Sequence, residues 1–180
     1  MPGINRALQE NRVLAKSCES ASNPCVFLSH ISIDKASAIA IGSYIKDQGG
    51  IDIYLDINDQ DLQDAANSGN AVRVTQFIER GLQCSTHVMC LVSASTVKSW
   101  WVPYELGFGK RSGVPLSTLK LKGDLPLPAY LEISEIILGT KGLNAYLASI
   151  RGTIRKSLTE ALISHSATNH PLDPYVDWNA

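Results

Sequence analysis

The chain has 180 residues, of which 44% are hydrophobic, and its 16 basic and 17 acidic side chains leave a net charge of −1. This length and composition predict one α/β domain with a complete core. The balanced charge excludes the basic excess of proteins that bind nucleic acid or anionic membranes. Because no apolar run could span a bilayer and no secretory signal is visible, we expect a cytoplasmic protein.

Hydrophobic periodicity predicts strands and helices that alternate along the chain. A buried strand at 25–28 precedes a helix at 36–46, which ends at the Gly49–Gly50 pair. The alternating segment 51–56 predicts a second strand, and the polar segment 56–70 predicts a loop. The later elements are a helix at 71–84, a strand at 87–93, a helix at 99–111, strands at 114–121 and 132–138, and a last helix at 142–165.

Five strands that alternate with helices predict a parallel sheet covered on both faces, because right-handed crossover connections place helices on the sheet. Ligands bind such sheets beyond the carboxyl ends of the strands. The segments after the first three strands are all polar, at 29–32, from 56 onward and at 93–96. We therefore expect a ligand site at this edge of the sheet.

The cysteines and histidines form no metal-binding pattern. Cys18, Cys25, Cys84 and Cys90 include no C-x-x-C pair, and none lies at metal-ligand spacing from a histidine. We expect all four thiols to be reduced and most of them to be buried in the core. The sequence also contains neither a G-x-x-x-x-G-K loop nor a G-x-S-x-G motif, so phosphate-loop and serine-hydrolase chemistry are not predicted.

One carboxylate stands in the apolar and aromatic segment SWWVPYELGFG, at 99–109. Pro103 fits the first turn of a helix, which therefore begins near Ser99 or Trp100. Glu105 then lies near the positive end of the helix dipole, which favours the ionised carboxylate, whereas its apolar neighbours favour the neutral acid. Trp101, four residues earlier, shares one helix face with Glu105.

An aromatic face beside a carboxylate suits a cationic heterocycle attached to a sugar, as found in NAD+. The indole can hold the ring by stacking and cation–π attraction, and the carboxylate can stabilise an oxocarbenium-like transition state. One carboxylate can suffice because nicotinamide leaves as a neutral molecule. The alternative is that Trp101 belongs to the core and that Glu105 caps the helix or pairs with Lys110 or Arg111.

Three segments in this order resemble the Toll/interleukin-1 receptor (TIR) domain family. They are CVFLSHISIDK, IDIYLD and GLQCSTHVMCLVSASTVKSWWVPYELGFG. The most specific feature is a Ser-x-Trp motif with a glutamate four residues after the tryptophan. The resemblance covers residues 24–150 and implies a flavodoxin-like, three-layer α/β fold with a five-stranded parallel sheet and a mobile loop at 56–70. It places the TIR domain at 23–165, between an N-terminal extension at 1–22 and a C-terminal tail at 166–180.

The same resemblance implies an activity, since many TIR domains cleave NAD+ to nicotinamide and an ADP-ribose product that is sometimes cyclised. The family's catalytic glutamate falls on Glu105, and its ring-lining tryptophan falls on Trp101. Four further positions match the family's substrate pocket: Phe27, Ser29, His30 and Asp56. A tyrosine or phenylalanine often stands in the family where this chain has His30. In the alternative interpretation, Ser29 caps the next turn and Asp56 opens the loop.

A single short TIR domain resembles the stand-alone TIR proteins of Thoeris-type antiphage systems. Those proteins make from NAD+ a signalling nucleotide that activates a separately encoded effector. The resemblance implies NAD+ as a substrate with no resident cofactor or metal, assembly of a homo-oligomer through TIR–TIR contacts, and no nucleic-acid or membrane partner. Two alternatives are a non-catalytic TIR adaptor, a class that typically lacks the glutamate, and an enzyme like the nucleoside deoxyribosyltransferases, which also use a carboxylate.

Overall fold

The computed structural model describes residues 1–9, 18, 23–123, 127–152 and 170–177. Their central feature is a five-stranded sheet in the order β2-β1-β3-β4-β5, in which every neighbouring pair is parallel. The strands are β1 (Cys25–Ser29), β2 (Asp52–Tyr54), β3 (His87–Val92), β4 (Leu116–Lys120) and β5 (Glu135–Ile137). This order is the flavodoxin-like one, so the predicted fold class is confirmed.

Five complete α-helices lie in the described ranges and connect or follow the strands. They are α1 (Lys35–Asp47), α2 (Gln60–Asn67), α3 (Ala71–Gln83), α4 (Trp101–Arg111) and α5 (Gly139–Ile150). Short 3-10 turns lie at Arg6–Leu8, Ser32–Asp34, Asp56–Asn58, Thr96–Lys98 and Ala129–Ile133. None of the helices in the described part of the chain has the length and apolar content that a bilayer span requires.

The sheet has a hydrophobic core on each face, because side chains alternate between the two faces along a strand. Val26 and Leu28 of β1 belong to the core that includes α1 and α5. Cys25 and Phe27 belong to the second core, which includes residues of α2, α3 and α4. The sheet is therefore the middle of three layers.

The polar segment 56–70 is not the loop that the sequence predicts. It forms the 3-10 turn at Asp56–Asn58 and then the helix α2. The Asp59 side chain caps α2 by accepting a hydrogen bond from the backbone amide of Leu62, at 3.2 Å. Only Leu62 and Ala65 of this helix are buried, so the sequence has too few apolar residues here to show the hydrophobic periodicity of a helix.

The structure describes two parts of the C-terminal region, at 139–152 and 170–177. Helix α5 begins earlier than predicted, and the segment 153–165, on which the rest of the predicted helix falls, lies outside the described residues. Residues 170–177, within the predicted C-terminal tail, form turns and bury Leu172 and Val176 in the core beside α1 and α5.

The expectation that all four cysteines are reduced is wrong for two of them. Cys18 and Cys84 form a disulfide, although 66 residues separate them in the sequence. Spacing in a sequence does not reveal which thiols meet in space. Cys25 and Cys90 are free and buried, as expected, and burial raises the pKa of Cys25 to about 12.

Residues 1–9 of the predicted N-terminal extension lie along the edge strand β2. The amide of Ile53 donates to the carbonyl of Ile4 at 2.9 Å, and Asn5 forms a parallel bridge with Ile53. The Asn5 side chain accepts from the Leu55 amide at 3.3 Å and donates to Asn58 at 3.0 Å. These contacts cover backbone groups that an edge strand would otherwise expose.

Gly81 allows α3 to lie directly against Tyr54 of β2. A Cβ atom at residue 81 would lie 2.4 Å from Tyr54 Cε1. Tyr54 cannot withdraw, because its ring is fully buried and stacks on Phe27, with centroids 5.7 Å apart, and its hydroxyl donates to Asp59. Gly81→Ala should therefore lower the free energy of unfolding by roughly 1–3 kcal/mol in a denaturant titration.

The matched control is Gly107→Ala, in α4. A Cβ atom there meets no heavy atom within 4 Å, so the substitution should stabilise the helix by roughly 0.5–1 kcal/mol. A Gly81→Ala variant as stable as the wild type would contradict this packing.

Candidate functional site

A cavity of about 790 Å³ opens beyond the carboxyl ends of β1, β2 and β3. Its walls come from the segments that follow these strands and from α2, α3 and α4. Strand order reverses beside β1, which makes this edge a topological switch point of the sheet. The cavity thus lies where the sequence predicts a ligand, and its volume is typical of small-molecule sites.

Helix α4 carries the carboxylate and the tryptophan into this cavity. Ser99 Oγ accepts hydrogen bonds from the amides of Trp101 and Val102, at 3.2 and 3.1 Å, and Pro103 occupies the first turn. The helix therefore begins within two residues of the predicted start. Trp101 is 40% exposed and Glu105 is 3% exposed, and both line the cavity.

Glu105 is a buried carboxyl that has no counterion in the part of the chain that the structure describes. It forms no salt bridge with any described residue, and its Oε2 atom has no hydrogen-bond partner there. The alternative in which it pairs with Lys110 or Arg111 is therefore wrong. Burial, followed by the nearby charge of Asp56, raises the pKa of Glu105 to about 8, and the Ser29 hydroxyl opposes this rise without reversing it.

His30 and Asp56 meet on the cavity wall. His30 Nδ1 lies 3.1 Å from the carbonyl oxygen of Leu28 and 3.6 Å from Asp56 Oδ1. Because a carbonyl oxygen can only accept, we assign the ring proton to Nδ1. Asp56 Oδ1 is buried and has no hydrogen-bond partner among the described residues. Burial raises the pKa of Asp56, and the His30 ring opposes this rise.

Phe27 and Ser29 are not among the residues that line the cavity. Phe27 is fully buried in the core, where it stacks on Tyr54. Ser29 is also buried; its hydroxyl lies near the Glu105 carboxyl, whose pKa it lowers, and makes no hydrogen bond to a described backbone amide, so it does not cap a turn. The structure thus brings four of the six predicted residues to one cavity: Glu105, Trp101, His30 and Asp56.

Several lining residues were not proposed as site residues from the sequence, among them the charged and aromatic side chains of Lys35, Lys98 and Trp100. Lys35 begins α1 after β1, and Lys98 ends the 3-10 turn after β3, so both belong to segments at the predicted edge. Their charge in these segments was the signal that could have identified them. Across the described residues, no group of three His, Cys, Asp or Glu side chains could hold a metal ion.

The sequence model of the family described as "Thoeris protein ThsB, TIR-like domain" matches residues 27–124. The chain belongs to this family. The match covers more than half of the chain and contains every residue that lines the cavity. It confirms the predicted resemblance and associates the chain with Thoeris defence. No curated protein matches the chain significantly.

Proposed function

We propose that this Thoeris TIR-like domain cleaves the bond between nicotinamide and ribose in NAD+, releasing nicotinamide and an ADP-ribose-type signalling nucleotide, cyclic or conjugated. The observation that carries the proposal is a buried carboxyl, Glu105, that has no counterion among the described residues and shares one cavity with the accessible indole of Trp101. The protein would act as a homo-oligomer assembled through TIR–TIR contacts, and its product would activate a separate effector in antiviral defence.

Each part of NAD+ has a chemically suitable partner in the cavity. The cationic nicotinamide ring stacks on the Trp101 indole, where cation–π attraction favours the charged ring over the neutral product. Lys35 and Lys98 supply positive charge for the diphosphate. The exposed ring of Trp100 adds an aromatic surface at the same cavity.

Glu105 drives the cleavage by electrostatics. Before substrate binds, the raised pKa of Glu105 keeps much of the carboxyl protonated at neutral pH. A cationic nicotinamide riboside placed nearby lowers that pKa and favours the carboxylate. As the glycosidic bond stretches, its electron pair leaves with nicotinamide and positive charge moves to the sugar. The carboxylate therefore stabilises the transition state more than the ground state.

The pH dependence of the reaction follows from the raised pKa. Because the reactive form is the carboxylate and kcat/KM reports the free enzyme, kcat/KM should rise roughly tenfold per pH unit below pH 8 and level off above it. Steady-state nicotinamide release between pH 6 and pH 9 measures this profile. Trp101→Phe should be slower but keep the same inflection, because it leaves the carboxyl in place. A flat profile would contradict the assignment of Glu105.

The direct test is mass spectrometry of products after incubation of concentrated protein with NAD+. Release of nicotinamide supports the proposal, and the mass of the partner product distinguishes hydrolysis, cyclisation and transfer. A parallel reaction with deoxynucleosides tests the deoxyribosyltransferase alternative. If no nicotinamide is released at high concentration with infected-cell extract added, the adaptor alternative replaces the enzyme.

A further inference from the structure

The cleavage described above assigns no step of its own to the His30–Asp56 pair, although both residues line the cavity. The His30 Nδ1–H group donates to the backbone carbonyl of Leu28, and this hydrogen bond fixes the orientation of the ring. The other nitrogen, Nε2, then carries the lone pair, and no described residue forms a hydrogen bond with it. Nε2 is therefore the ring atom that remains to meet an occupant of the cavity.

Asp56 is placed to stabilise a proton on this ring. Its Oδ1 atom lies 3.6 Å from His30 Nδ1, which is within ion-pair distance but longer than a hydrogen bond. The same oxygen is buried and lacks any hydrogen-bond partner in the described part of the chain. A protonated imidazole would form a neutral ion pair with this carboxylate, as in other sites where an aspartate supports a histidine base.

We propose that His30 is the general base that activates an oxygen acceptor, water or a hydroxyl group, for attack on the ribosyl carbon, and that Asp56 stabilises the resulting imidazolium. This inference rests on the proposed function. The bond from C1′ to nicotinamide breaks, and its electron pair leaves with neutral nicotinamide. The acceptor oxygen forms the new bond to C1′, and its proton passes to His30 Nε2 and then to solvent. Nothing is oxidised or reduced.

The roles of Glu105 and His30 can be distinguished by changing the acceptor that attacks C1′. Departure of nicotinamide needs Glu105 whatever attacks afterwards. An oxygen acceptor must also lose a proton, and this step needs a base. A free pyridine such as 3-acetylpyridine attacks through its nitrogen lone pair and has no proton to lose. Exchange of nicotinamide for such a pyridine therefore requires Glu105 and does not require His30.

The experiment measures oxygen transfer and pyridine exchange together, by chromatography of NAD+ reactions that contain 3-acetylpyridine. His30→Phe, which keeps a planar ring, should lose about 100-fold in oxygen transfer and keep exchange within about threefold of the wild type. Asp56→Asn should lower the ratio of oxygen transfer to pyridine exchange by about tenfold. The matched control is His87→Phe at the opposite, amino end of β3, which should leave both rates unchanged.

Two results would overturn the inference: an unchanged rate of oxygen transfer in His30→Phe, or equal losses of transfer and exchange, which would indicate a positioning role. If His30→Phe does not fold, His30→Gln tests the same ratio. A wild-type protein that neither releases nicotinamide nor forms the exchange product rejects the proposed function itself, so the two failures are distinguishable.

Discussion

Glu105→Gln is expected to reduce nicotinamide release by about 10³-fold or more while leaving the fold intact. Glutamine has the size of the native side chain but cannot supply the negative charge that stabilises the sugar cation. The native carboxyl is 3% exposed and its Oε2 has no hydrogen-bond partner within the described ranges, so an amide at this position breaks no described hydrogen bond of that atom.

The same variant should be more stable than the wild type at alkaline pH. The folded-state pKa of Glu105, about 8, lies above the ordinary value of 4.5, so the folded state binds more protons than the unfolded state between these pH values. The free energy of unfolding of the wild type therefore falls as pH rises from 4.5 to 8 and stays low above pH 8. Glutamine does not titrate, so the free energy of unfolding of the Glu105→Gln variant does not fall in this way.

Thermal denaturation at two pH values measures the effect. The stability advantage of Glu105→Gln should grow by about 2–3 kcal/mol between pH 6 and pH 9, which corresponds to roughly 5–10 °C in Tm. Glu132→Gln, at an exposed glutamate of the 3-10 turn Ala129–Ile133, is the matched control and should change neither activity nor Tm. Retained turnover would reject the catalytic assignment of Glu105, and an advantage independent of pH would reject its buried, protonated state.

Arg6→Ala is expected to lower the free energy of unfolding by about 3–5 kcal/mol, because it leaves a buried carboxylate without its cation. Arg6 is 3% exposed and Asp52 is 6% exposed. The guanidinium donates to Asp52 Oδ2 from Nε and Nη2, at 3.0 and 2.9 Å. It also donates to the backbone carbonyls of Cys84 and Asn23, at 2.9 and 2.8 Å, so one side chain connects three parts of the chain.

Urea titration of Arg6→Ala against the wild type measures this loss. Arg111→Ala removes the same charge from an exposed position at the end of α4 and should unfold at the wild-type midpoint. If the two variants lost equal stability, the Arg6–Asp52 pair would not be the structural element described above.

The sequence predicts the sheet well because its strands are short apolar runs between turn residues, as in the segment 87–93. It fails at α2, where the buried face consists of Leu62 and Ala65 alone. It also fails for the disulfide between Cys18 and Cys84, because pairing depends on how the N-terminal region returns to the end of α3. Local periodicity contains no information about such distant contacts.

The sequence predicts the part of the candidate site that depends on local spacing. Pro103 and the four-residue spacing are enough to place Trp101 and Glu105 on one helix face. That Glu105 meets no counterion among the described residues depends on how α4 packs against the sheet, which no spacing rule gives. Likewise, the 3.6 Å approach of His30 to Asp56 arises because β1 and β2 are neighbours in the sheet, which their order in the chain does not determine.

The contacts of Asn5 affect how this protein should be prepared for assay. Asn5 binds the backbone at Leu55 and the side chain of Asn58, one residue before and two residues after Asp56. Trimming the first residues to improve expression would therefore remove contacts that support the Asp56 turn and should lower the proposed activity. Inactivity of a shortened protein would say little about catalysis, whereas inactivity with residues 1–9 present would be informative.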